Sequence, residues 1–185
     1  VSEHLFLAVP LPMQIKEKLA SFSKSWNGQL PFKKWTFQDD FHITLSFLGP
    51  VTSTKSNELV KQLQEELKNF KSFQLSLQNL GTFGDTKQPR VWWCGVNKSN
   101  ELLECHKRVS KACESVGFSI EKRPYRPHIT IAKKFNENFK KQFEVPLSWD
   151  ENNLNFEVKE IVLYKIHPSK QPSYEPIEMI QLLND

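Results

Sequence analysis

A four-residue pattern occurs twice in this chain and limits what it can fold into more than any other feature. Residues 42–45 read His42, Ile43, Thr44, Leu45, and residues 128–131 read His128, Ile129, Thr130, Ile131, one copy in each half of the 185-residue sequence. Alternation with period two marks a strand buried on one side, so each copy sets histidine and threonine on one face and aliphatic side chains on the other. A duplicated strand of this kind implies two similar units. The pattern predicts that the two polar faces meet and share one reaction centre.

The rest of the chain supplies the frame. Residues 5–9 form an apolar run stopped by Pro10 and Pro12, which reads as a buried strand. Ile15, Leu19 and Phe22 then fall at helical spacing, with Gly28 beyond the helix end. Residues 29–41 suggest a short strand and a turn. The alternation continues after His42 as far as Gly49 and Pro50, which sets His42, Thr44 and Ser46 on one face and Ile43, Leu45 and Phe47 towards the core. Leu59, Leu63 and Leu67 mark a second helix with Ser53 or Thr54 as its N-cap. A strand at residues 73–80, a polar loop at 81–89 and a strand at 91–96 lead to a third helix at 102–116, closed by Gly117.

The second copy is entered through Pro124, Tyr125, Arg126 and Pro127. A residue before proline favours extended geometry, so Arg126 is expected to share the face of His128 and Thr130. Strands at residues 143–147, 156–166 and 176–183 complete the chain. No linker or charge block divides it, and one domain is expected over residues 1–185. Strands interspersed with three helices and a repeated motif favour an α+β protein of two similar lobes.

Composition narrows the function classes. With 38% hydrophobic residues the chain can bury a sizeable core. No run approaches the roughly 18 apolar residues of a membrane helix, and the N-terminus lacks a secretory profile, so a soluble, cytoplasmic protein without a membrane partner is expected. Cys94, Cys105 and Cys113 read as reduced thiols. A net charge of +4 admits an anionic ligand but is low for a dedicated duplex-DNA binder.

Two facing imidazoles can divide a hydrolysis between them, the neutral one taking a proton and the charged one giving one to the leaving oxygen. Histidine suits both tasks because its ordinary pKa lies near working pH. Thr44 and Thr130 would offer hydroxyl donors to an anionic oxygen held between His42 and His128. A phosphodiester fits that demand. Neither copy supplies a second metal ligand beside its histidine, Ser46 lacks the glycine context of a nucleophile elbow, and no glycine-rich phosphate loop is present. Acid-base chemistry with no metal and no cofactor is the expectation that remains.

These residues also carry a family resemblance. The stretches 42–49 and 126–132 resemble the paired motifs of the two-histidine phosphoesterases, in particular the RNA 2',3'-cyclic phosphodiesterases long labelled 2'-5' RNA ligases. The resemblance extends to the opening strand, to residues 81–93, and to Leu163, Tyr164 and Tyr174. It implies two pseudo-symmetric lobes, each an antiparallel sheet with packed helices, around a central cleft. It also implies hydrolysis of 2',3'-cyclic phosphate ends of RNA or nucleotides to 2'-phosphates, with a possible reverse 2'-5' ligation. In that scheme His42 donates to the leaving oxygen, His128 activates water, and Thr44 and Thr130 bind phosphate oxygens.

The family often has arginine where this chain has Lys133, and strict alternation from His128 would turn Lys133 out of the cleft unless a bulge intervenes. Arg126 is therefore ranked above Lys133 as a phosphate contact. A serine usual near Ile166 is missing. Trp92 and Trp93 should face opposite ways, one in the core and the other, with Phe83, available to stack on a base. His106 reads as a packed residue, and His4 and His167 as surface residues. The expected partner is RNA or a nucleotide with a 2',3'-cyclic phosphate, with no obligate protein partner. Two alternatives remain open: a phosphodiesterase for another small diester, and an RNA-binding module that keeps the cleft without turnover.

Overall fold

The computed structural model describes residues 2–150 and 154–184. In chain order these form β1 (Ser2–Pro10), α1 (Met13–Trp26), β2 (Phe32–Trp35), a 3-10 turn (Gln38–Asp40), β3 (His42–Thr52), α2 (Ser53–Leu67), β4 (Phe73–Asp85), β5 (Gln88–Val96), α3 (Asn100–Ser115), β6 (His128–Phe135), β7 (Asn155–Val158), β8 (Glu160–Ile166) and β9 (Tyr174–Gln181). The strands make two sheets, ordered β3-β1-β8-β9 and β2-β6-β5-β4-β7. Every pairing between neighbours in them is antiparallel. The fold is α+β with two antiparallel sheets and three helices, as expected, and each motif strand lies in its own sheet.

The sheets are not the two halves of the sequence. β2 comes before the first motif yet pairs with β6 of the second. Conversely, β8 and β9 follow the second motif yet complete the sheet of β1 and β3. Residues 156–166, read as one strand, therefore divide at Lys159. β7 pairs with β4 in one sheet and β8 pairs with β1 in the other. Both pieces are apolar enough to be buried, which is why the sequence reads as continuous.

The helices cover the sheets for ordinary reasons of patterning. α2 places Leu59, Leu63 and Leu67 four residues apart on one fully buried face. Its cap is Thr52, whose hydroxyl accepts from the Lys55 N–H at 3.4 Å, one residue before the expected pair. α3 buries Leu102, Cys105, Val109, Ala112 and Cys113 and is capped by Ser99. It closes at Gly117 with φ of 81°, where the Phe118 N–H reaches the Cys113 carbonyl, a left-handed C-terminal cap. Each fully buried leucine contributes roughly 1.5–3 kcal/mol. Both helices pack against β3, so their burial holds the first motif strand.

Two other expectations are corrected. Residues 81–89 are not a polar loop: β4 and β5 continue through them as a hairpin turning at Thr86 and Lys87. Gly81 makes this possible, because a Cβ there would sit 2.3 Å from the Trp93 ring lying across it. Residues 143–147 form no strand. Pro146 lacks the N–H a ladder needs, and this irregular segment instead caps the second sheet. Its Pro146 carbonyl accepts from Trp92 Nε1 at 3.0 Å, and its Leu147 carbonyl accepts from the Leu80 N–H at 3.2 Å.

Candidate active site

Each motif strand carries a one-residue irregularity at the same place. In β3, Thr44 lies opposite Ala8 but Ser46 lies opposite Leu7, leaving Leu45 as an extra residue. In β6, Thr130 lies opposite Trp93 and Ala132 opposite Trp92, leaving Ile131 extra. A bulge of this kind reverses the facing of the residues that follow it, in β3 as far as a second irregularity at Leu48. The alternation expected after His42 thus ends at Thr44. Ser46 turns to the helical side, towards Cys113 of α3, whose thiol it helps to acidify against burial. Phe47 emerges on the cleft side opposite Phe6, 67% exposed. In β6 the same reversal brings Lys133 onto the face of His128 and Thr130.

The histidines are held alike. His42 Nδ1 lies 2.7 Å from the Asp40 carbonyl, and His128 Nδ1 lies 2.7 Å from the Arg126 carbonyl, in each case two residues back. A carbonyl only accepts, so Nδ1 carries the hydrogen in both rings and Nε2 is left for chemistry. The Thr44 hydroxyl donates to His42 Nε2 at 3.0 Å. Phe6 packs 4.8 Å from the His42 ring, and Tyr174 presents its edge at 5.2 Å. Phe83 stands edge-on to His128 at 4.8 Å, with Trp93 at 6.3 Å.

Their electrostatics differ. Burial pushes His42 down to about 4, and the nearby positive groups His128, Lys133 and Lys16 deepen that, against the opposing bond to the Asp40 carbonyl. His128 is also lowered by burial, opposed by its bond to the Arg126 carbonyl. Burial lowers Lys133 as well, followed by Lys34 and Lys134, while Asp40 raises it. His128 and Lys133 thus both act on His42.

A reciprocal brace joins the motifs. Thr36, in the segment leading into the first motif, donates its hydroxyl to the Thr130 carbonyl of the second at 2.8 Å, and its N–H to Ile131 at 2.9 Å. Tyr125, leading into the second motif, donates its hydroxyl to the Thr44 carbonyl of the first at 2.9 Å. Both capped carbonyls precede the bulged residue. Tyr125 is itself stacked on His106, with ring centroids 3.8 Å apart and planes 5° from parallel. The buried Asp40 carboxylate adds a further tie, accepting from the Ser173 N–H at 2.9 Å and the Tyr174 N–H at 3.1 Å.

The structure thus sets His42, Thr44, His128, Thr130 and Lys133 along two approaching strands, with Trp93 and Phe83 beside them. Arg126 is exposed and lies before β6, contributing its carbonyl. Trp92 is wholly buried, so the two tryptophans do face opposite ways. His167 pairs with Glu175 at 2.5 Å outside this group. Sequence reasoning missed Asp40, Thr36, Tyr125, Phe47 and Lys34. The only signal for Asp40 was a carboxylate two residues before a motif histidine. Among the described residues no three histidine, cysteine or carboxylate side chains gather into a metal-binding group.

A family model described as the 2'-5' RNA ligase superfamily matches residues 15–170, which include both motifs. The chain belongs to that superfamily. Within it, an RNA 2',3'-cyclic phosphodiesterase of Geobacillus stearothermophilus is 40% identical over 180 residues, covering 97% of this chain and 57% of the relative's own length. This chain thus spans little more than half of that relative. An enzyme of the same name from Bacillus subtilis is 30% identical over 182 residues and matches over 98% of both chains. Among solved structures, E. coli LigT complexed with 3'-AMP superposes with a TM-score of 0.81 at 23% identity, covering 98% of this chain and 99% of that one. At that identity the likeness shows the fold. No helix among the described residues is long and apolar enough to cross a membrane.

Proposed function

We propose that this member of the superfamily hydrolyses 2',3'-cyclic phosphate ends of RNA or nucleotides to 2'-phosphates, with His42 and His128 exchanging the protons and no metal in the step. The observation that carries the reading is the matched pair of imidazoles, each with Nδ1 fixed to a carbonyl two residues back, and close enough for the charge of His128 to act on His42. The names of the 40% and 30% identical relatives support the substrate class. In the step, water oxygen bonds to phosphorus and the bond to O3' breaks. One Nε2 takes the water proton and the other gives its proton to O3'. Thr44 and Thr130 donate hydroxyls to the phosphate oxygens. A 5'-hydroxyl in place of water would yield a 2'-5' linkage by the same route.

The division of roles has two readings. The family resemblance makes His42 the donor and His128 the acceptor. The depression of His42 to about 4 favours the exchange, with His42 neutral and the shared proton on His128. A substrate with sulfur in place of O3' decides, because a thiolate leaves without a proton donor. Whichever alanine variant it rescues has lost the acid. The reaction itself is tested with a cyclic nucleotide in EDTA. Release of the 2'-phosphate is expected, and loss of turnover in EDTA that added metal restores contradicts the metal-free step.

A further inference from the structure

Lys34 and Lys133 are direct partners across the β2–β6 pairing. Like charges placed directly opposite on antiparallel strands repel and weaken the pairing. Residues directly opposite on paired strands project to the same side of the sheet, so Lys34 lies on the face that Lys133 takes. That is the cleft side, reached by Lys133 only because Ile131 is bulged. Lys34 lowers the proton affinity of Lys133, and Lys133 lowers that of His42, so positive charge runs from the imidazoles outwards to β2. Among the described residues no ion pair joins a carboxylate to either lysine. β2 is an edge strand, where a lysine discourages other chains from pairing, but that task does not call for a second lysine opposite the first.

The cyclic phosphate of the proposed reaction carries one negative charge and already has two imidazoles and two threonine hydroxyls around it. A second anion of the same substrate is what the lysine pair is built for. In a nucleic acid strand that anion is the next phosphodiester. We propose that Lys34 and Lys133 hold the phosphodiester on the 5' side of the terminal nucleotide, so that the chain selects ends of RNA strands over cyclic mononucleotides. This rests on the function proposed above and extends it from the reacting phosphate to its neighbour.

The test compares two dinucleotides ending in a 2',3'-cyclic phosphate, one with an ordinary internal phosphodiester and one with an uncharged methylphosphonate there. The charged dinucleotide is expected to show about tenfold higher kcat/KM, the scale of one charge-assisted contact. Lys34→Met should collapse that ratio towards one, and Lys34→Arg should keep it. Equal rates on the two linkages in the unaltered protein overturn the proposal, as does a Lys34→Met variant that slows both substrates by the same factor. Failure of the catalytic reading shows differently, as no turnover of a cyclic mononucleotide. In that event the ratio of affinities for the two dinucleotides, read by fluorescence anisotropy, tests the lysine pair in the same way.

Discussion

The two motif strands are built to one plan and left in different electrical environments. Each has Nδ1 of its histidine fixed to the carbonyl two residues earlier, an extra residue just after its threonine, and the threonine carbonyl capped by a hydroxyl from the other motif's lead-in. The fifth residue after each histidine then reaches the cleft, and there the plan diverges: Phe47 in β3, Lys133 in β6. His42 sits among Phe6, Tyr164 and Tyr174 with Lys133 and Lys16 acting on it. His128 has Phe83 and Trp93 beside it. Shared backbone geometry puts two imidazoles in equivalent places. Unequal neighbours give them unequal proton affinity, which an acid and a base require.

The largest expected effect breaks the pair outright. His42→Ala and His128→Ala should each lower kcat on a cyclic nucleotide by about 100-fold to 10,000-fold. Near-normal turnover in both variants would remove the shared reaction centre.

The second effect uses the inequality. His42 titrates at about 6.5 in the unfolded chain and about 4 in the folded one. Below pH 6.5 the unfolded state binds the proton first, so stability falls as pH drops from 6.5 to 4 and levels off below. The loss is about 3 kcal/mol at most. Denaturation midpoints against pH should show it, and His42→Gln should flatten the curve in that window. His128, lowered in the same direction, contributes with the same sign.

Loss of either brace should have a smaller effect. Tyr125→Phe keeps the stack on His106 but strips the cap from the Thr44 carbonyl, and Thr36→Val strips it from Thr130. Each should cost about 1–3 kcal/mol of stability, the penalty for a poorly satisfied partner. Because the braces are reciprocal, the two losses should be similar. A large loss from one and none from the other would show that only one motif is held this way.

The smallest effect tests the bulge. Ser46→Ala should leave turnover unchanged and cost no more than about 1 kcal/mol of stability, since Ser46 faces α3 rather than the histidines. A cleft serine, as simple alternation places it, would slow the reaction when removed.

That serine also shows where the sequence stops being legible. The repeated histidine and threonine, the three helices and the α+β class follow from period and spacing, which local side-chain order determines. Leu45 and Ile131 look like ordinary core residues, so nothing in their identity announces that each will be the extra residue of a bulge. Plain alternation therefore places Phe47 in the core, and Lys133 reaches the cleft only through the bulge. The exchange of strands between sheets is similarly hidden. Residues 156–166 carry apolar side chains on both sides of Lys159, and only the competing partners β4 and β1 divide them. Asp40, Thr36 and Tyr125 act through groups distant in the chain, which no local pattern reports.

Direct titration of the two rings by NMR in the unliganded protein tests the central comparison. The account predicts that the His42 imidazole keeps one neutral form down to about pH 4 and titrates below His128. His42 titrating with or above His128 would contradict it.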